Sequence, residues 1–365
     1  MIPPDAEAGP VSPGPPLIFD GHNDTLLDLY LPERGEGRTF FERGAGHLDL
    51  PRAREGGFGG GFFACWTPNP EDEWTEESAL ILTEDGYEVA DAPPLDPTYA
   101  RETADELAAL LFKVEARSEG QMKVVRTAKE LESCLREGVL AAVLHFEGAE
   151  NLGPEPGALE DLYEAGLRSL GLVWSRPNAY AHGVPFRFPA PPDTGPGLTE
   201  AGRDLVRECN RLGVLLDLSH LNERGFWEVA GMMEAPLVAT HSNAHSLCPT
   251  TRNLTDRQLD AIRDSDGMVG VNFAVGFLRE DGEDEEDTPI ETVVRHVDYL
   301  VERIGVERVG FGSDFDGAKV PREIGDASGL PKLLAALREG GYDDAALKKL
   351  AHENWVRVLR ETWGG

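Results

Sequence analysis

Eight short apolar runs recur along the 365 residues, and longer amphipathic or polar stretches separate them. That alternation is the strongest constraint on the fold, because short apolar runs read as buried strands and the stretches between them as helices. The runs are Leu17–Phe19, Gly59–Trp66, Leu140–Phe146, Arg168–Trp174, Val214–Leu218, Leu237–Thr240, Met268–Phe273 and Arg308–Gly312. Helices are predicted at Arg101–Glu115, Ala128–Glu137, Thr199–Leu212, Asn222–Met233, Thr255–Asp264, Pro289–Ile304, Ala327–Glu339 and Asp343–Glu361. Thr199 and Thr255 stand at helix starts as caps, the second with Gln258 at the capping-box position. Eight buried strands with helices between nearly all of them favour an α/β fold closed as a (β/α)8 TIM-like barrel with loop insertions.

Residues 1–16 are Pro-rich and acidic and are expected to form a disordered arm, leaving 17–365 as a single barrel domain. Three insertions interrupt the pattern. Residues 67–98 and the acidic run 279–288 read as solvated loops. The Pro/Gly segment 183–197 follows strand four, on the face where barrel active sites lie, and reads as a lid or substrate wall.

Acidic residues outnumber basic ones 66 to 34, for a formal charge of −32. Such a surface repels phosphate backbones and anionic lipid, which argues against nucleic-acid or membrane partners. Only seven of the basic residues are Lys. A surface rich in acid and poor in Lys suits concentrated salt, where screening relieves self-repulsion, although an ordinary acidic enzyme has the same composition. The four cysteines (Cys65, Cys134, Cys209, Cys248) have no CxxC spacing and read as reduced structural thiols. With no signal-like N-terminus and no apolar run of spanning length, a cytoplasmic location is expected.

The chemistry-bearing residues fall at strand ends. His22 and Asp24 follow strand one, Glu147 strand three, His220 strand five, His241 strand six and Asp314 strand eight. In a barrel these ends form the rim where catalytic groups converge. Residues i and i+2 of an extended strand share a side, so His22 and Asp24 can grip one metal. Imidazole with carboxylate suits Zn²⁺ or a similar divalent ion. Glu147 has two oxygens with which to bridge a pair of ions, and His220 and His241 can hold the second. Two ions can share a hydroxide at neutral pH and polarise a carbonyl. Asp314, not needed as a bridge, is left as general base and acid. His145 can be a group supporting Glu147 or a satisfied core histidine, and Asp217, three residues before His220, is expected to face away from the site. His47, His182, His245, His296 and His352 carry no assigned role.

The segments GHND (21–24), FEGAE (146–150), DLSH (217–220), THSNAHSLCPTTRN (240–253) and GFGSDFDG (310–317), in this order, resemble the successive signatures of the membrane dipeptidase family of the amidohydrolase superfamily. The resemblance runs from residue 18 to about 360. It implies two zinc ions, the more buried one on His22 and Asp24, the second on His220 and His241, with Glu147 bridging. It also implies that Arg252 pairs with the substrate's terminal carboxylate and that Asp314 is the acid/base. The expected substrate is a small dipeptide, including those with a C-terminal D-residue, and such relatives are often homodimers. One departure stands out: many relatives carry a His after strand four, whereas here the stretch reads Leu172-Val-Trp-Ser-Arg-Pro-Asn. Trp174 or Ser175 takes that place, and Arg176 or His182 could substitute. Cleavage of N-acyl amino acids or lactones, and a catalytically silent metal-binding role, are the competing readings.

If the acidic surface is an adaptation to salt, the protein loses structure in low-salt buffer and regains it with KCl, as circular dichroism would show. A spectrum indifferent to salt would exclude that origin.

Overall fold

The computed structural model describes residues 15–70, 73–153 and 157–364, so most of the expected N-terminal arm lies outside the described residues. The eight barrel strands are β1 (Ile18–Asn23), β2 (Phe58–Cys65), β3 (Leu140–Glu147), β4 (Ser169–Gly171), β5 (Leu215–Asp217), β6 (Val238–Ala239), β7 (Met268–Val271) and β8 (Val309–Phe311). Each pairs in parallel with the next. The Asp20–Phe311 register joins β1 to β8 and closes the barrel. All eight predicted runs are therefore strands. A short parallel strand at Met122–Val124, which the sequence did not signal, lies beside the start of β3.

Helices between the strands begin where the caps predict. Thr199 accepts from the Gly202 N–H at the start of Glu200–Leu212. Thr255 and Gln258 form the reciprocal capping box of Asp256–Asp264. The helix expected over Asp343–Glu361 is interrupted: Asp344–Lys348 and Asn354–Trp363 flank a wide π turn at Lys349–Glu353. That turn delivers Trp355 into the lower barrel, where it is fully buried against Phe19 and Phe62 and its Nε1 donates to the Phe311 carbonyl at 3.1 Å. Space for the indole comes from Gly21, Gly270 and Gly310, where a Cβ would sit 2.6, 3.1 and 2.8 Å from ring atoms.

The insertions depart from expectation. Within 67–98, Leu80–Leu82 and Tyr87–Val89 form an antiparallel hairpin, and Tyr87–Val89 pairs in turn with Arg187–Phe188 of the 183–197 segment. The acidic insertion is thus a small sheet tied to the loop after β4, not a free solvated loop. Leu80, Ile81 and Leu82 are the exposed large hydrophobics among the described residues. The run 279–288 is largely exposed, as predicted. All four cysteines are buried and unpaired. No described helix is long and apolar enough to cross a membrane.

Candidate active site

The strand ends bring the predicted residues to one place. His22 Nε2 lies 3.4 Å from Asp24 Oδ2 and 3.5 Å from Glu147 Oε2. The other Glu147 oxygen, Oε1, lies 3.0 Å from His220 Nε2 and 3.5 Å from His241 Nε2. Glu147, the last residue of β3, therefore turns one oxygen to each side. Two donors about 2.0 Å from one tetrahedral ion stand roughly 3.3 Å apart, and these separations match. Two donor groups can be drawn within 4.8 Å: His22, Glu147 and His241; and His22, Asp24 and Asp314. His22 belongs to both, so the division between His22/Asp24 and His220/His241 is less sharp than the spacing suggested. Both ring nitrogens of His22 lack a hydrogen-bond partner among the described residues. A buried imidazole with no partner, facing carboxylates, fits a metal ligand.

The hydrogen bonds around the other histidines fix where their protons lie. Asp217 accepts from the Thr240 N–H at 2.8 Å and from the Thr240 hydroxyl. With its proton given to Asp217, Thr240 Oγ1 accepts from His241 Nδ1–H at 2.8 Å. That leaves the His241 Nε2 lone pair directed into the site. Burial, together with the charges of His22 and Arg252, holds the pKa of His241 well below the ordinary imidazole range, so it stays neutral. Burial and Arg252 do the same to His220, whose Nδ1 is 2.7 Å from Ser175 Oγ. Burial opposes a proton on His22, but Glu147 and Asp24 outweigh it and raise its pKa well above the usual value. Burial pushes the Glu147 carboxyl up to about 7 against the pull of His22.

Asp217 corrects an expectation. It does not face away from the site but lies beneath it, 3.8 Å from both His241 Nδ1 and His145 Nε2. His145 bonds Ser169 Oγ through Nδ1 at 2.9 Å and packs edge-on against His22. Burial lowers its pKa to about 4, so it is a neutral group under the site. Arg176 is committed elsewhere: it donates to Glu150 at 2.9 Å, Asn69 at 3.0 Å and the Thr67 carbonyl at 2.6 Å. His182 Nδ1 faces the Gly197 carbonyl at 3.3 Å. Neither takes the place of the histidine missing after β4.

Asp314 is buried, and desolvation raises its carboxyl above the usual range. Asn272, just after β7, donates to its Oδ2 at 2.8 Å and leaves Oδ1 free of that contact. Arg252 is also buried. Its Nη2 donates to the His241 carbonyl at 3.1 Å, its Nε has no partner, and it forms no ion pair with the described residues. A guanidinium withdrawn from water without a carboxylate partner is costly unless a ligand supplies one. Asn272 and Thr240 were missed from sequence. Asn272 had a signal, since an Asn ending the apolar run of strand seven occupies the same rim as the assigned residues.

A closed (β/α)8 barrel whose rim gathers His22, His220, His241, Asp24, Glu147 and Asp314 defines a metal-dependent hydrolase. A sequence model of the membrane dipeptidase family (peptidase family M19) matches residues 15–363. A metallo peptidase from Rhodobacter sphaeroides, crystallised with a phosphinate mimic of the dipeptide L-Ala-D-Ala, superposes with a TM-score of 0.91 at 52% identity over 96% of this chain and 100% of that one. A protein encoded in the pqqA 5′ region of Klebsiella pneumoniae is 50% identical over 70% of this chain and 94% of its own length. Dipeptidase tcpJ of Claviceps purpurea is 29% identical over 94% of this chain and 76% of its own. This chain belongs to the membrane dipeptidase family.

Gly317 leaves room for the two carboxylates, for a Cβ there would stand 2.1 Å from Asp24 Oδ2 and 2.5 Å from Asp314 Oδ1. We expect Gly317→Ala to fold, to displace both carboxylates and to lose most activity and bound metal. Elemental analysis and an unchanged far-UV spectrum would check this; full metal content with wild-type turnover would refute it.

Proposed function

We propose that this chain is a binuclear zinc dipeptidase that hydrolyses the peptide bond of dipeptides, including those with a C-terminal D-residue. The observation that carries the reading is the pairing of two features: Glu147 shared between two sets of histidines, and a buried Arg252 without a carboxylate partner. His22 and Asp24 would hold one ion, His220 and His241 the other, and Glu147 both. Bound there, the ions lower the pKa of the attacking water and polarise the scissile carbonyl.

The remaining work falls to the chain's own groups. Arg252 orients the substrate by a two-pronged contact with its terminal carboxylate, the geometry for which a guanidinium is suited. Asp314 takes a proton from the attacking water at Oδ1 and passes it to the nitrogen of the leaving amino acid, while Asn272 steadies Oδ2. Its desolvated setting raises the carboxyl and so favours the proton-carrying form. Trp174 and Phe186, whose rings lie 6.0 and 6.3 Å from that of His220, wall the site and exclude water. The D-residue specificity is supported by the L-Ala-D-Ala mimic bound to the Rhodobacter sphaeroides relative. Four buried, unpaired thiols are consistent with the cytoplasm as its compartment.

Two substitutions separate holding metal from moving protons. Glu147→Gln is expected to lose metal. Asp314→Asn is expected to keep two ions per chain and lose turnover by about 10²–10⁴-fold. Two ions still bound at full occupancy in Glu147→Gln would refute the shared role of Glu147.

Arg252→Ala should raise KM for dipeptides about 10- to 100-fold, the loss expected when a charged hydrogen-bonding partner is removed. Steady-state kinetics on L,L and L,D pairs measure it. An unchanged KM would mean that no substrate carboxylate is read there and would turn the search to lactones.

A further inference from the structure

The proton-transfer role of Asp314, on which this inference rests, sets a demand on geometry. Its Oδ1 must reach the attacking water and then the leaving nitrogen, and a displacement of about 1 Å at such a group can lower the rate about 10²-fold. Yet Asp314 is carried by a turn, not by a strand. β8 ends at Phe311, and Asp314 follows in the left-handed region with φ of 61°. Among the described residues, Asn272 alone donates to its carboxylate.

The backbone that leads into this turn is held from across the barrel closure. Asp20 lies within β1, opposite Phe311 in the register that joins β1 to β8. Its side chain reaches beyond that partner to a single residue, the one immediately before Asp314. Oδ1 accepts from the Ser313 N–H at 2.7 Å and Oδ2 from the Ser313 hydroxyl at 2.8 Å. With its proton given to Asp20, Ser313 Oγ accepts from the Phe315 N–H at 3.2 Å. The Asp314 N–H donates to the His22 carbonyl at 3.0 Å. Three consecutive N–H groups are thus met by the Asp20 carboxylate, by the backbone of β1 and by the hydroxyl that Asp20 orients.

No other task accounts for Asp20. Its relative exposure is 1%, and it belongs to neither of the donor groups that could hold an ion. A polar side chain inside a barrel is retained for what it bonds, and both of its oxygens bond Ser313.

We propose that Asp20 is a positioning residue for proton transfer. It fixes Ser313, and through Ser313 the backbone that aims the Asp314 carboxyl, without touching substrate or metal itself. The requirement is for the pair of hydrogen bonds and not for charge. An amide at this position keeps an acceptor for the Ser313 N–H and donates to Oγ, whose proton then turns to the His22 carbonyl 3.2 Å away.

The test is a mutant cycle on zinc-loaded protein, with dipeptide kinetics and bound metal counted by elemental analysis. Asp20→Ala should keep the metal content and far-UV spectrum of wild type, leave KM little changed and lower kcat about 10- to 100-fold. Asp20→Asn should recover most of that loss. In an Asp314→Asn background, Asp20→Ala should lower kcat by no more than about threefold further, because the group it positions is already gone. Fully additive losses, metal lost from Asp20→Ala, or an Asp20→Asn variant as slow as Asp20→Ala would each overturn the proposal. If Asp20→Ala does not fold, Ser313→Ala takes its place in the cycle; it removes only the hydroxyl, and additivity with Asp314→Asn overturns the proposal equally. Failure of the underlying reading looks different. Wild-type turnover in Asp314→Asn removes the acid/base role and the positioning role with it, whereas additive losses on a slow Asp314→Asn enzyme remove the positioning role alone.

Discussion

The buried carboxylate of Glu147 is the group around which the site is arranged. A carboxylate withdrawn from water is tolerated only if positive charge or strong donors meet both of its oxygens. Here the oxygens face opposite ways, one to His22 and the other to the neutral His220 and His241, so the second oxygen would be met by a cation that these imidazoles hold with it. Four strands, β1, β3, β5 and β6, must therefore end at the same height, and a closed parallel barrel is the construction that brings them there. The hydrogen bonds below the site serve the same end. Asp217 takes the Thr240 proton, Thr240 takes that of His241, and His241 is left with its lone pair toward Glu147. Removing Asp217 would free Thr240 to donate instead, and the tautomer of His241 would no longer be determined.

The same rim stores backbone strain. His220, Asp314 and Asp316 all lie in the left-handed region, with φ of 66°, 61° and 66°. Such residues cost of order 1–3 kcal/mol each and persist only where surrounding contacts over-determine them. For Asp316 those contacts are explicit: its carboxylate accepts from Thr25 Oγ1 at 2.8 Å, Arg38 Nη2 at 2.6 Å and the His47 N–H. Its own N–H donates to His47 Nδ1 at 2.9 Å. The turn that carries Asp314 is thus anchored two residues downstream to the loop after β1, the strand that carries His22.

What could be read in the sequence follows from the same physics. Strands covered on both faces are continuous apolar runs, so all eight stood out, and polar residues ending such runs marked the rim. Asp217 was misjudged because residue alternation holds only inside a strand. β5 ends at Asp217, and the count to His220 crosses a turn with a left-handed residue. The small sheet was not legible for another reason. Its three strands are two or three residues long, the first of them exposed throughout, and they depend on pairing between segments far apart in sequence. Local composition in 67–98 reports acid and proline; it cannot report a partner at Arg187–Phe188. The π turn at Lys349–Glu353 likewise answers to the space available for Trp355 in the barrel, not to any residue within it.

The overall charge bears on which substrate such a site can recruit. A surface at −32 sets up a field that repels small anions at low ionic strength. An N-acyl amino acid carries one negative charge and approaches against that field; a dipeptide zwitterion is neutral and does not. Net charge thus separates the two substrate classes before either touches the site, and Arg252 alone would have to recover the difference for the acylated one.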